Sequence, residues 1–339
     1  MSHLTLKRCK LLPIKITDEL LDGKRFLITG ASGLIGISLL KNLSNLAVSQ
    51  MRVISVTATS RSNLFSRLNF PGIDLDILSI DLLDKNKIGK TGEFDYIIHA
   101  AGSADPKYFK KYQKETFLIN SVITDYLLDL LAPNGKFIFL SSTELFSGTT
   151  DVICNEHSLG ITSPFHPRAG YIEGKRAGEM LVSWRADQGM NATSLRLSYT
   201  FGPTIKIEDS RVINEFIENS LKFQKIFLKD SGKATRPNLF SEDAAEMILN
   251  VMFDSKRRLY NIASNKINSI LDIAKIIAEI TNSKIIEPES NIPYDNSAQK
   301  HIDVDISAYT SDFGLPDFTS LRDGLHKTIL FRKNFNYAQ

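Results

Sequence analysis

Three glycines set between an apolar run and a helical pattern decide the architecture at the start of this chain. Lys24 to Gly30 reads KRFLITG, a short buried strand, and Leu34 to Leu43 reads LIGISLLKNL, a helix. The turn between them, Gly30-Ala-Ser-Gly33-Leu-Ile-Gly36, has the spacing G-x-x-G-x-x-G. Alone, such a triplet says only that a tight turn needs glycine torsions. Between a strand and a helix, it lets backbone N–H groups at the helix N-terminus cradle a pyrophosphate. Gly30, Ser32, Gly33, Leu34, Ile35 and Gly36 are therefore the expected contacts to a dinucleotide.

Further apolar runs begin at Arg52 (RVISVTA), Asp76 (DILSI), Asp95 (DYIIHAA) and Lys136 (KFIFLSS), with a helical pattern from Glu115 to Ala132 among them. Strands that are apolar on both faces and alternate with helices predict an α/β protein with a doubly wound parallel sheet. After Tyr171 the rhythm changes. Residues Tyr171 to Gly189 read as one long helix closed by the glycine, and ATSLRLSYTFGP reads as a strand ending in a Gly-Pro turn. Helices follow at Val212–Phe223, Ser241–Phe253 and Ile270–Ile280. The expected division is a leader at 1–23, a dinucleotide-binding unit at 24–200 with roughly 238–262, and a smaller interleaved α/β substrate unit at 201–237 with 263–339.

Composition excludes several functions. A net charge of +3 over 339 residues, with no basic run, argues against a nucleic-acid binder. No stretch has the apolar length of a membrane span, and the first residues lack a signal-peptide pattern. Two cysteines, Cys9 and Cys154, make neither a disulfide framework nor a metal site, so no metal is expected and a reducing cytoplasm is the expected home.

On the second strand, a carboxylate is expected for the adenosine ribose. RVISVTATSRS has Thr57, Thr59 and Arg61 instead. An arginine there can accept a ribose 2′-phosphate, which leaves NADP open, whereas a hydride that leaves and returns within one cycle favours NAD. Asp81-Leu82 ends the third strand, where the carboxylate either binds the adenine amino group or caps the strand end.

Tyr171-Ile-Glu-Gly-Lys175 puts a tyrosine and a lysine one turn apart on a helix face. An ammonium beside a phenol lowers its pKa and makes a base for a sugar hydroxyl. Upstream, KFIFLSSTELF delivers Ser141, Ser142, Thr143 and Glu144 to the carboxyl end of a strand, where open α/β sheets bind ligands. Ser142 completes a Ser/Tyr/Lys triad.

At these residues a resemblance becomes explicit. TGASGLIG, the IIHAAG strand end carrying Ala101, Asn120 in the following helix, LSSTELF, YIEGKRAGE, RLSYTFGP, TRPNLFSEDAAEMI and YNIAS resemble the NAD-dependent epimerase/dehydratase family of extended short-chain dehydrogenases/reductases. The likeness runs from Lys24 to about Ile329. It implies a Rossmann fold, an NAD cofactor touching Ala101 and Asn120 as well as the loop, and a second unit that binds a nucleotide-sugar. A homodimer through the helices at Glu115–Ala132 and Tyr171–Gln188 is common in the family, and their apolar stripes allow it.

Within the family the chain is most similar to UDP-glucuronate decarboxylases, through Glu144 after the Ser-Thr pair, Tyr-x-Glu-Gly-Lys-Arg from Tyr171, and Arg236. That likeness implies oxidation at the sugar C4, loss of the C5 carboxylate and reduction again. Tyr171 is then the base, Lys175 tunes it, and Ser142 polarises the C4 oxygen. Thr143 and Glu144 stand near C5 and C6, with Tyr199 and Arg211 on the substrate and Arg236 near a phosphate or the carboxylate. Two positions depart from the pattern: Tyr199 replaces an asparagine, and the second-strand acid is missing. A 4-epimerase needs only the triad, and a 4,6-dehydratase would carry an aspartate in place of Thr143. A non-catalytic, redox-sensing member of the superfamily would have lost Tyr171, Lys175 or Ser142, and all three are present.

Overall fold

The computed structural model describes residues 17–61, 68–84, 87, 89, 92–288 and 301–336. The leader through residue 16, with Cys9, lies outside the described residues. From Asp18 a short 3-10 turn leads in, and Leu21 is already buried in the main core.

The chain alternates as the apolar runs require. β1 (Arg25–Thr29) runs into α1 (Leu34–Ser49), followed by β2 (Ile54–Ser60), β3 (Ile73–Ser79) and β4 (Phe94–His99). Next come α2 (Pro106–Lys111), α3 (Gln113–Asn120), α4 (Val122–Leu128), β5 (Leu131–Ser142) and α5 (Ala169–Asp187). Beyond them lie β6 (Ala192–Leu197), β7 (Tyr199–Phe201), α6 (Val212–Phe223), β8 (Lys225–Phe227), β9 (Thr235–Phe240), α7 (Ser241–Asp254) and β10 (Leu259–Ile262). The last elements are β11 (Ile267–Ser269), α8 (Ile270–Thr281), β12 (Lys284–Ile286), α9 (Ser307–Phe313) and α10 (Leu321–Asn336).

Seven strands form one parallel sheet in the order β10-β6-β5-β4-β1-β2-β3. Successive side chains of β1 serve opposite faces, as the two-residue period demands. Phe26 and Ile28 enter the core under α1 and α7, while Leu27 enters the core under α4 and α5. The strand order reverses between β1 and β4, and there the carboxyl ends open a crevice. The second lobe has its own core, in which Phe216 and Ile217 of α6, Ile273 and Ile277 of α8, and Leu325 and Ile329 of α10 meet. Two small sheets, β11-β9-β7 and β12-β8, complete it.

Three local expectations change. The helix from Glu115 to Ala132 is two helices, broken at Ser121. Asn120, Ser121 and Thr124 each turn a side chain back onto a carbonyl four residues earlier, at 2.8, 2.7 and 2.8 Å, and such bonds compete with the helix backbone. β5 then starts at Leu131, earlier than Lys136, because Leu131 already pairs with Phe94. The single strand expected in ATSLRLSYTFGP is two: β6 closes on the main sheet, Ser198 turns the chain, and β7 joins β9 in the second lobe.

Candidate active site

The crevice is a cavity of about 1220 Å³ that runs from the glycine loop, past the ends of β4, β5 and β6, to the second lobe. Sites for one small ligand hold about 300–1,000 Å³, so this cleft has room for a dinucleotide and a substrate together.

At one end, the glycines are required by geometry. Gly30 has φ 65°, and a Cβ there would lie 2.7 Å from the Cα of Ala101. A Cβ on Gly36 would lie 2.5 Å from the Cα of Ala31. Gly33 caps α1 without a side chain, so the first-turn N–H groups of Leu34, Ile35 and Gly36, which have no intrahelical acceptor, meet the cleft. That is a cradle for a pyrophosphate and fits a dinucleotide. Ser60 donates to Ser32 at 2.7 Å, and the Gly30 N–H reaches Thr59 Oγ1 at 3.3 Å, so β2 holds the loop in place. Below it, His99 Nε2 lies 3.0 Å from the Ile119 carbonyl and must carry the proton. Nδ1 then accepts from Thr29 at 2.7 Å, and Thr29 in turn accepts from the Ala101 N–H at 3.2 Å. Complete burial pushes the imidazole down to about 3, so it remains neutral and ties β1 to β4 at the switch point.

Arg61, Asp81, Leu82 and Ala101 all line the cleft. Arg61 donates to the Tyr108 hydroxyl at 3.3 Å, and Asp81 accepts from the Leu83 N–H at 3.1 Å, which caps the end of its strand. Asn120 does not line the cleft. It is fully buried behind the wall, donating to the Thr116 carbonyl at 2.8 Å, and its Oδ1 has no partner among the described residues. Asn120 thus stands one layer behind the cleft wall.

At the other end, Ser142, Tyr171 and Lys175 converge, all buried and all lining the cleft. Ser142 caps the 3-10 turn Thr143–Phe146 by accepting the Glu144 N–H at 3.2 Å, and its hydroxyl pulls the Tyr171 phenol down. Lys175 Nζ donates to the Leu140 carbonyl at 2.5 Å and lies 5.8 Å from the centre of the Tyr171 ring. Burial dominates both groups. It pushes the phenol up to about 12 against the pull of Ser142, and it brings the lysine down to about 7. The phenol is thus raised where the spacing predicts a lowering, because desolvation outweighs the pull of Ser142, Arg211 and Arg168.

The acidic residue just past the end of β5 is not alone. Both oxygens of Glu144 receive Arg168 Nη1, at 2.8 and 2.9 Å, and the Tyr199 hydroxyl donates to it at 2.9 Å. Arg236 lies over the Tyr199 ring, 4.3 Å from its centre, with a buried Nε that has no partner among the described residues. Burial, with Glu144 alongside, drives the Tyr199 phenol far up, so it stays a donor. Thr143 gives its hydroxyl to the Leu197 carbonyl at 3.3 Å. Arg211 is clasped by Asp209 through two bonds of 2.9 Å and also donates to the Thr200 carbonyl at 3.2 Å.

Sequence reasoning missed Arg168 and Asp209. Arg168 stands just before Tyr171, where a turn entering the catalytic helix is a signal in itself. Asp209 stands beside Arg211 with one residue between them. Among the described residues, no group of acidic, histidine or cysteine side chains is arranged to hold a metal, and no helix is long and apolar enough to cross a membrane.

The profile of the NAD dependent epimerase/dehydratase family matches residues 26–263, which span both the glycine loop and the tyrosine–lysine helix. The chain belongs to this family. It is accordingly an NAD-dependent enzyme of the short-chain dehydrogenase/reductase superfamily. Among curated proteins it is 28% identical over 332 residues to UDP-glucuronic acid decarboxylase 1 of Xenopus tropicalis, covering 96% of this chain and 76% of that one. Among solved structures it superposes on the epimerase Mth375 of Methanothermobacter thermautotrophicus with a TM-score of 0.79 at 22% identity, covering 93% of this chain and 94% of that one. MoeE5 in complex with UDP-glucuronic acid and NAD superposes with a TM-score of 0.74 at 21% identity, over 92% and 99% of the two chains. At these identities the superpositions establish the fold.

Proposed function

We propose that the enzyme acts on a UDP-hexuronic acid, oxidising C4, releasing the C5 carboxylate as carbon dioxide and reducing C4 again. The observation that carries this reading is the charge at the substrate end. Arg168 balances Glu144, so the guanidinium of Arg236 is left to meet an anion, and its Nε is buried with no partner among the described residues. A nucleotide-sugar offers that cation either its diphosphate or, in a hexuronic acid, the sugar carboxylate, and the second is its partner in this reading. The relatives named as UDP-glucuronic acid decarboxylases support the same reading.

In this reading the first-turn N–H groups of α1 hold the cofactor's pyrophosphate. NAD, when bound, supplies a hydride acceptor that returns the hydride later in the cycle. Tyr171 takes the proton of the C4 hydroxyl, and Ser142 holds the oxygen in line. Lys175 beside the phenol, with the positive charge that NAD would bring when bound, would oppose the burial that keeps Tyr171 protonated. The product of this step is a β-keto acid. Its C5–C6 bond breaks, the electron pair moves into the C4 carbonyl, and Tyr171 and Ser142 donate to the enolate oxygen. C5 would then take a proton from water, the hydride held by the cofactor would return to C4, and Tyr171 would return its proton to the oxygen. Glu144 does not act by crowding the sugar carboxylate with like charge, because Arg168 already compensates it. Its place in the reading is to hold Tyr199, which carries Arg236.

Incubation with UDP-glucuronic acid and mass spectrometry of the product tests the reading. The expected product is lighter by one carbon dioxide. A product of unchanged mass would make the enzyme an epimerase, and loss of water would make it a dehydratase.

A further inference from the structure

We infer that Phe109, on the short helix α2, is a positioning residue for Tyr171. The inference rests on the reading of Tyr171 as the base and goes beyond it. No part of the glycine loop or the triad calls for an aromatic residue here. Yet Phe109 is 2% exposed and is the one buried side chain of α2, and its ring stacks on Tyr171 with centres 4.7 Å apart and planes inclined by 16°. Phe109, Tyr171 and Ile172 form a small apolar cluster separate from the main cores. The Arg168 guanidinium lies 5.8 Å from the Phe109 ring, so the same side chain touches both the tyrosine and the arginine that compensates Glu144.

The helix that carries Phe109 is itself tied down on both sides of the cleft. Asp105 caps it by accepting the Lys107 N–H at 3.0 Å, and Ser210 of the second lobe donates to the same carboxylate. Tyr108 accepts from Arg61 at the end of β2. Phe109 is thus held from both lobes while it covers one face of the phenol ring. A stacked ring does two things to a base. It fixes the plane in which the hydroxyl swings, and it keeps water off that face. The first sets the line of proton transfer, where a shift of about 1 Å can cost about a hundredfold in rate. The second belongs to the burial that dominates the Tyr171 pKa.

The test uses the holoenzyme and the pH dependence of hydride transfer to bound NAD, followed at 340 nm, with Phe109→Ala and Phe109→Leu. Phe109→Ala is expected to lower kcat by about ten- to a hundredfold while NAD affinity and KM stay within about twofold. Its acid limb should move down by about one pH unit, because water now reaches the phenol. Phe109→Leu keeps the apolar cover without the flat face, so its acid limb should stay with the wild type while kcat remains reduced. Should Phe109→Ala fail to fold, the kcat loss and unmoved limb of Phe109→Leu are read alone. An unmoved acid limb in Phe109→Ala, a kcat of Phe109→Leu equal to wild type, or a loss seen only in KM or NAD affinity would overturn the inference. If wild type oxidises another nucleotide-sugar but releases no carbon dioxide from UDP-glucuronic acid, the substrate reading fails, and the Phe109 profiles on that sugar still decide this one.

Discussion

The pair between Arg168 and Glu144 offers the sharpest energetic test. Its side chains are 7% and 14% exposed, so both charges have given up most of their water. Such a pair is worth little against an apolar replacement of both partners, yet breaking it from one side strands a charge and costs about 3–5 kcal/mol. In Arg168→Met, Glu144 keeps only the Tyr199 hydroxyl, a single donor, so the cost should fall near the lower end of that range, about 3 kcal/mol. Glu144→Gln leaves Arg168 with an amide oxygen still able to accept, and should cost about 1–2 kcal/mol. The double variant removes both charges and should lose about 2 kcal/mol less than the sum of the two single losses, which is the coupling of the pair. Urea unfolding of all four proteins, followed by far-ultraviolet circular dichroism, measures the cycle. If Arg168→Met costs under about 1 kcal/mol, or if the two changes simply add, the pair is solvated and the charge argument for Arg236 loses its footing.

The other predictions follow from the same site. Tyr171→Phe should cut turnover by at least about a hundredfold while NAD still binds, as measured by steady-state kinetics and cofactor titration; near wild-type turnover would remove Tyr171 as the base. Lys175 is brought from 10.5 down to about 7, so the folded state holds fewer protons than the unfolded state between those values, and stability rises with pH there. Relative to Lys175→Met, whose other titrations cancel, the wild type should therefore gain about 3 kcal/mol between about pH 7 and 9.5, and a flat difference would refute the burial argument. Met180 and Trp184 of α5 are 59% and 50% exposed and Phe117 of α3 is 38% exposed, and we propose these exposed apolar side chains of α3 and α5 as the surface where two copies of the chain pair. Met180→Glu with Trp184→Glu should give a monomer by sedimentation velocity, and an unchanged mass would place any dimer elsewhere.

The sequence by itself determined whatever depends on neighbours along the chain. A strand, three glycines and a helix specify a dinucleotide cradle because torsions and the unpaired N–H groups of the first turn are local properties. Tyr171 and Lys175 share a face because a helix has a fixed period. The spans Val212–Phe223 and Ile270–Ile280 were legible for the same reason, since their apolar stripes repeat with the turn. Tertiary structure alone decided what depends on distance across the fold. RLSYTFGP reads as one strand because period-two alternation does not say which sheet a strand joins; the partners of β6 and β7 lie far along the chain. Glu144 reads as a lone catalytic acid until the fold sets Arg168 and Tyr199 against it. Phe109 carries no sequence signal at all, because nothing in PKYFKK says which ring it will face. Burial itself, which raises Tyr171 and lowers Lys175, belongs to the whole packed site and reverses the shift that the tyrosine–lysine spacing suggests.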